Sequence, residues 1–247
     1  MKEKTFKSNA GSKVAQGIYH ISSNTVDEEL GMMFAWTNSY DKSTRFQCGI
    51  GAYVFVCNNG MIHGDMASFA RKHTGSADVD AKKHIQNQII FANKYFKQLI
   101  TDKDNFRNIE LNKKEQSELL GRLFIEEEII DATQISCVKK EMNKPSYEYN
   151  CDLNNAWAFY NHVTHALKLS HPRTWMSDQR KFHEFMTSEL LNQLNLHNSD
   201  ILNGGKPYIP KNNIYPGDLN LVKKDIEIAN IDIELDSFDY DEEMNKN

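Results

Sequence analysis

The side-chain pattern changes period once, near residue 78, and this restricts the chain to folds that join an antiparallel sheet to helices. Residues 32–40 are rich in Phe, Trp and Thr. Residues 44–57 carry Arg45-Phe46-Gln47-Cys48 and then Tyr53-Val54-Phe55-Val56-Cys57, the composition of pleated strands. Asp41-Lys42-Ser43 reads as a tight connection between them. Asn58-Asn59-Gly60 supplies residues that tolerate positive φ, so a two-residue hairpin turn is expected there, with residues 61–65 pairing back on residues 53–57. Gly49 and Gly51 predict a bulge, a bend or a close backbone approach within the second run. Residues 14–21 add a short strand, and the polar first dozen residues are expected to fray. The upstream part therefore reads as a meander of three or four strands.

From Asp78 the apolar residues Ile85, Ile89, Ala92, Phe96 and Leu99 recur at helical spacing, which predicts an amphipathic helix over 78–100 packed across the meander. A second helix is expected over 113–131, with Leu119, Leu120, Leu123 and Phe124 as its apolar face. Glu126-Glu127-Glu128 oppose the helix dipole near its end, so that boundary stays open. Residues 139–150 read as a connection, and residues 152–169 as a helix stopped by His171-Pro172. Ser177 is the expected cap of a last helix bearing Phe182, Phe185, Met186, Leu190 and Leu194. Regular structure is expected to stop after Asn203-Gly204-Gly205. The fold class is thus α+β: an α+β domain over 13–203 (meander plus helix over 13–100, helical part over 113–195), then an irregular segment and acidic tail over 204–247.

The net charge of −5 conceals a division. Residues 225–247 hold nine acids and one base, a net −8, so the other 224 residues sum to +3. The body is too weakly basic to demand nucleic acid, yet its charge permits it. The tail, ending in Phe238-Asp239-Tyr240-Asp241-Glu242-Glu243, can recruit a basic partner protein or compete for a basic surface. No uncharged apolar run of 18 residues or more occurs and the N-terminus is polar, so neither a membrane span nor a secretory leader is expected. Cys48, Cys57, Cys137 and Cys151 form no CxxC pair and are expected to be reduced, intracellular thiols of a cytoplasmic protein.

Three motifs then stand in order: Val56-Cys57-Asn58-Asn59-Gly60-Met61, Arg71-Lys72-His73-Thr74-Gly75, and Asn155-Ala156-Trp157-Ala158-Phe159-Tyr160-Asn161 with Thr164 and His165. Together they resemble domain-of-unknown-function family 932 (YfjQ/YafZ type), over residues 13–171. The resemblance implies carriage on phages, prophages or plasmids. It transfers no catalytic residue, metal or cofactor. The 25 asparagines suit an AT-rich coding genome. A short meander followed by a long helix is also similar in pattern to phage single-strand annealing proteins, although fold alone does not carry function.

The chemistry legible in the residues is chiefly that of a polyanion binder. Arg45, Arg71, Lys72, Lys82 and Lys83 are candidate phosphate contacts, and Trp36 and Tyr40 are candidate stacking residues for single-stranded DNA. Phe34, Phe46, Tyr53 and Phe55 could serve the same end, but alternation sends at least half of such rings into a core. His162 and His165, three apart on a helix with His171, His183 and Glu184 nearby, could hold a metal, but ordinary helix histidines lack the HExxH glutamate just as this pair does. Cys57 with His63 is a weaker nucleophile candidate, since strand cysteines are usually small buried apolar groups. The expected function is therefore a phage-encoded, non-enzymatic accessory of DNA metabolism that binds, and could anneal, single-stranded DNA. The alternative is a protein-interaction factor that binds a host component. No catalytic residue, metal or cofactor is assigned; oligomers are permitted.

Overall fold

The computed structural model describes residues 2–8, 13–21, 27–41, 43–62, 77–149 and 151–201, all within one compact unit, Met1–Tyr208. Five strands form a single antiparallel sheet in chain order: β1 (Lys2–Ser8), β2 (Val14–His20), β3 (Leu30–Ser39), β4 (Gln47–Val54) and β5 (Gly60–Ile62). The helices follow as α1 (Ala77–Arg107), α2 (Lys113–Ile125), α3 (Ala132–Asn143), α4 (Ala156–Ala166), a 3-10 turn (Leu167–Leu169) and α5 (Trp175–Ile201). The protein is thus α+β, with the sheet first and the helices after it. None of the described helices is long and apolar enough to cross a membrane.

Two expectations about the sheet need correction. The first dozen residues are not simply frayed, because Lys2–Ser8 pairs with β2 along its length. Its Lys2, Lys4 and Lys7 suit an edge strand, where charge discourages pairing with another chain. The hairpin after β4 is not a two-residue turn. The Val54 amide donates to the Asn59 carbonyl at 2.9 Å and the Asn58 amide to Val54 at 2.7 Å, so residues 55–58 form a longer loop. Asn58 takes the positive φ, 53°, that the Asn-Asn-Gly sequence had suggested. Of β5's expected residues, 63–65 lie outside the described ones. Gly51 answers the question of close approach: a Cβ there would run into the carbonyl oxygen of Met61 on β5.

Both faces of the central strands are buried. Paired residues share a face, so Phe34, Ile50, Ala52 and Val54 lie on one side, and Met33, Ala35, Thr37 and Tyr53 on the other; all eight are buried. The second of these faces meets the α4–α5 connection. The Thr37 hydroxyl donates to the Pro172 carbonyl at 3.2 Å, and the Trp175 ring lies 3.0 Å from where a Gly60 Cβ would stand.

The helical half departs from expectation at several boundaries. Helix α1 runs seven residues past Ile100, to Arg107, and buries Ala92, Phe96, Leu99 and Phe106; Ile89, expected in the stripe, is 43 % exposed. Helix α2 stops at Ile125, as the dipole argument against Glu126-Glu127-Glu128 allows, and Phe124 is exposed. Residues expected to be a connection form the end of α3, which opens on a capping box between Asp131 and Gln134. Ser177 is not a cap but lies inside α5. The turn before it is closed by the His171 carbonyl, which accepts from Thr174 and Trp175.

Two glycines give opposite expectations for substitution. Gly51→Ala is expected to lower unfolding free energy by more than about 2 kcal/mol, since the obstacle is backbone and cannot rotate away. Gly121→Ala, in α2 with nothing within 4 Å of the added methyl, is expected to raise it by about 0.5–1 kcal/mol. Urea denaturation of the two variants checks both signs.

Candidate functional site

At the end of β3 the chain turns through residues 40–46, and this turn gathers a cationic, aromatic corner. The Ser39 hydroxyl closes the turn by donating to the Thr44 carbonyl at 2.8 Å and accepting from the Thr44 amide at 2.7 Å. Tyr40 is 95 % exposed, and its amide donates to the Lys13 carbonyl at 2.8 Å, which sets Lys13 beside it. Arg173, delivered by the segment after α4, donates to the Ser43 hydroxyl at 2.9 Å. Arg45 is exposed on the same turn. Asp41 stands among them. Hydrogen bonds from Ser43, helped by the charges of Lys13 and Arg173, hold its carboxyl below the usual range, so it stays ionised and offsets one of the three cations.

The corner brings together two of the seven expected binding residues, Tyr40 and Arg45. Trp36 is half-buried with its indole packed where a Cβ on Gly17 would stand, so it shows only part of a ring. Lys82 and Lys83 are exposed on α1, a separate element. Arg71 and Lys72 lie outside the described residues. Phe34 and Tyr53 are core residues and Phe46 packs against the core; Phe55 is partly exposed. Lys13 and Arg173 were missed because 160 residues separate them, and neither carries a local motif.

A second polar assembly is buried between the β4–β5 loop and α4, and it joins two of the three motifs that carry the family resemblance. The Asn59 carboxamide donates to the Asn161 carbonyl at 2.9 Å and to its side-chain oxygen at 3.2 Å. The Cys57 thiol lies 3.7 Å from that same oxygen, and Lys168 donates to the Cys57 carbonyl. Burial pushes the Cys57 thiol up to about 11, which keeps it protonated and unlike an activated nucleophile. His63, its expected partner, lies outside the described residues.

His162 and His165 do share a face of α4, but they turn toward different groups. His165 lies 3.8 Å from Glu141, and its ring meets Tyr147 edge-on at 5.7 Å. Burial opposes ionisation of Glu141, but hydrogen bonds from Ser146 and the nearby histidines outweigh it and hold the carboxyl below its ordinary value. His162 is fully buried against Tyr149 at 5.8 Å, and among the described residues neither ring nitrogen has a hydrogen-bond partner. Burial pushes its imidazole down to about 4. His171 is exposed, and His183 belongs to another network, so the histidines do not converge. Among the described residues, no group of three or more His, Cys, Asp or Glu side chains is placed to hold a metal.

That other network ties three helices together. His183 of α5 lies 3.2 Å from Asp102 of α1 through Nε2 and 3.1 Å from the Tyr160 hydroxyl of α4 through Nδ1; Asp102 also accepts from Gln98 at 2.9 Å. If Nε2 carries the proton, it donates to Asp102 while Tyr160 donates to Nδ1, and every group is satisfied. All three side chains are buried, and the rings of Phe106, Trp157 and Phe182 pack around Tyr160.

An N-terminal meander carrying a cationic corner, locked to a helical half through the Asn-Asn-Gly loop, defines the class: an α+β domain whose polar motifs serve assembly as much as surface chemistry. The model of the family described as Domain of unknown function (DUF932) matches residues 8–187, and the chain belongs to that family. No curated protein and no solved structure matches it significantly.

The depressed imidazole of His162 predicts that the domain is acid-sensitive. Its folded-state pKa lies below the ordinary 6.5, so between pH 6.5 and about 4 the unfolded chain binds more protons than the native one. Its contribution is complete above pH 6.5 and lost as pH falls toward 4, on the order of 3 kcal/mol. Urea midpoints measured across this window should fall with acid in the wild type and fall less steeply in His162→Phe. Equal slopes would remove His162 as the cause.

Proposed function

We propose that this protein is a non-enzymatic accessory of DNA metabolism, encoded by a phage or related mobile element, that binds single-stranded DNA. The observation that carries this reading is the corner at the end of β3. Tyr40 is almost wholly exposed, and the cations Lys13, Arg45 and Arg173 are gathered around its turn. An aromatic ring held in water by a hydrogen-bonded turn offers a stacking platform to a base, and the surrounding cations can contact the phosphates on either side. A single strand presents unstacked base faces to such a ring, whereas a duplex does not. Arg71 and Lys72 belong to the proposal through their sequence alone, and Trp36 supplies a second, partly covered ring.

Fluorescence anisotropy with labelled single-stranded and duplex oligonucleotides, across a salt series, tests this on the full chain. Single strands should bind more tightly than duplex. Log affinity should fall with log salt by about 0.7 for each phosphate neutralised. Tyr40→Ala is expected to weaken binding about five-fold or more, because one base–aromatic stack is worth about 1–3 kcal/mol. Arg45→Gln should reduce the salt slope by about 0.7. Absence of salt-sensitive binding would overturn the reading and leave a host-protein partner as the function to pursue.

A further inference from the structure

The cations of α1 fall into two sets with different fates. Lys103 pairs with Asp27 at 2.6 Å in a nearly buried contact, and Arg107 pairs with Glu29, so both are used to fasten α1 to the chain entering β3. Lys82, Lys83, Lys94 and Lys97 are exposed, and none of the four forms an ion pair with another described residue. Between Ala81 and Thr101 the helix contains no acid.

The four lysines also share a face. At 3.6 residues per turn, Val79, Lys83, Gln86, Ile90, Lys94 and Lys97 fall within a sector of roughly 80°, with Lys82 and Ile89 on one flank. The opposite sector holds Gln88, Ala92, Leu99 and Phe106, all buried. Lys82 and Lys97 are 15 residues apart, about 22 Å of helix. Val79 (67 % exposed), Ile89 and Ile90 (46 %) interrupt the row with apolar surface that the core does not use. Because the helix already spends its main apolar stripe on the core, this face is unsuited to lying in a membrane. A row of exposed cations with apolar side chains between them suits a polyanionic chain that also has apolar parts, as a single nucleic-acid strand has in its sugars and bases.

We infer that the exposed face of α1 is a second tracking surface for the single strand, with Lys94 and Lys97 as phosphate contacts in addition to Lys82 and Lys83. This rests on the reading of the protein as a single-strand binder and extends its site from the corner to a helix. The row is long enough for about six phosphates of a stacked strand at 3.4 Å each.

The test uses the full chain and a labelled 30-nucleotide single strand over a salt series. The double variant K94Q/K97Q keeps the side-chain stems at exposed positions and should leave thermal unfolding unchanged. It is expected to lower the slope of log affinity against log salt by about 1.4, two phosphates' worth. K94R/K97R should keep the wild-type slope. If Tyr40→Ala weakens binding while K94Q/K97Q retains the wild-type slope, the corner binds DNA and this inference fails alone. If the wild type shows no salt-sensitive binding, both fail together. A K94Q/K97Q slope equal to wild type, coupled with loss of binding to a synthetic copy of residues 225–243, would assign the lysine row to an acidic peptide and overturn the inference.

Discussion

The bond between the Asn59 carboxamide and Asn161 is the contact on which the arrangement of this protein most depends. These residues are 102 positions apart, and together with Lys168 on the Cys57 carbonyl they fasten the sheet's last hairpin to α4 and the 3-10 turn after it. The groups are buried, so an unmet carboxamide or carbonyl would cost about 1–3 kcal/mol. That cost makes the docking geometry specific in a way that apolar contact alone does not.

A second set of polar ties governs α1. Asp102 joins it to His183 and through that ring to Tyr160, while Lys103 and Arg107 hold the chain entering β3. Only the last part of the helix carries these ties, and the same part extends beyond the boundary that hydrophobic spacing suggested. Polar residues such as Asp102 and Lys103 interrupt an apolar stripe, so periodicity stops there even though the helix continues. The burial of both faces of β3 and β4 has a comparable effect. Alternation anticipates one wet face, and the helices leave none at the centre, which removes Phe34 and Tyr53 from any surface role.

The candidate binding surface draws its meaning from this economy. The protein uses Lys103, Arg107 and Lys168 internally, and Arg122 pairs with Glu126 and Glu189. Exposed lysines also stand on α2, α3 and α5; those at the corner and along α1 differ in lying beside exposed aromatic or apolar side chains. Tyr40 is placed by main-chain bonds of its turn, and the adjacent Arg173 arrives from the far end of the helical half. Neither a charge count nor a motif could bring them together.

By itself, the sequence determined the class of fold, the order of sheet and helices, the family through its three motifs, and the special backbone at Asn58. These properties are local: turn chemistry, side-chain period and proline each act over a few residues. The tertiary structure alone decided which rings are core and which meet water, because a ring's exposure depends on what packs over it. It also decided that His162 and His165 face different partners, that Cys57 is a buried thiol, and that Lys13 stands beside Tyr40 while Arg173 reaches Ser43 of the same turn. Contacts between residues far apart in the chain leave no imprint on local pattern, and here they tie the Asn-Asn-Gly loop to α4 and Arg173 to the turn after β3.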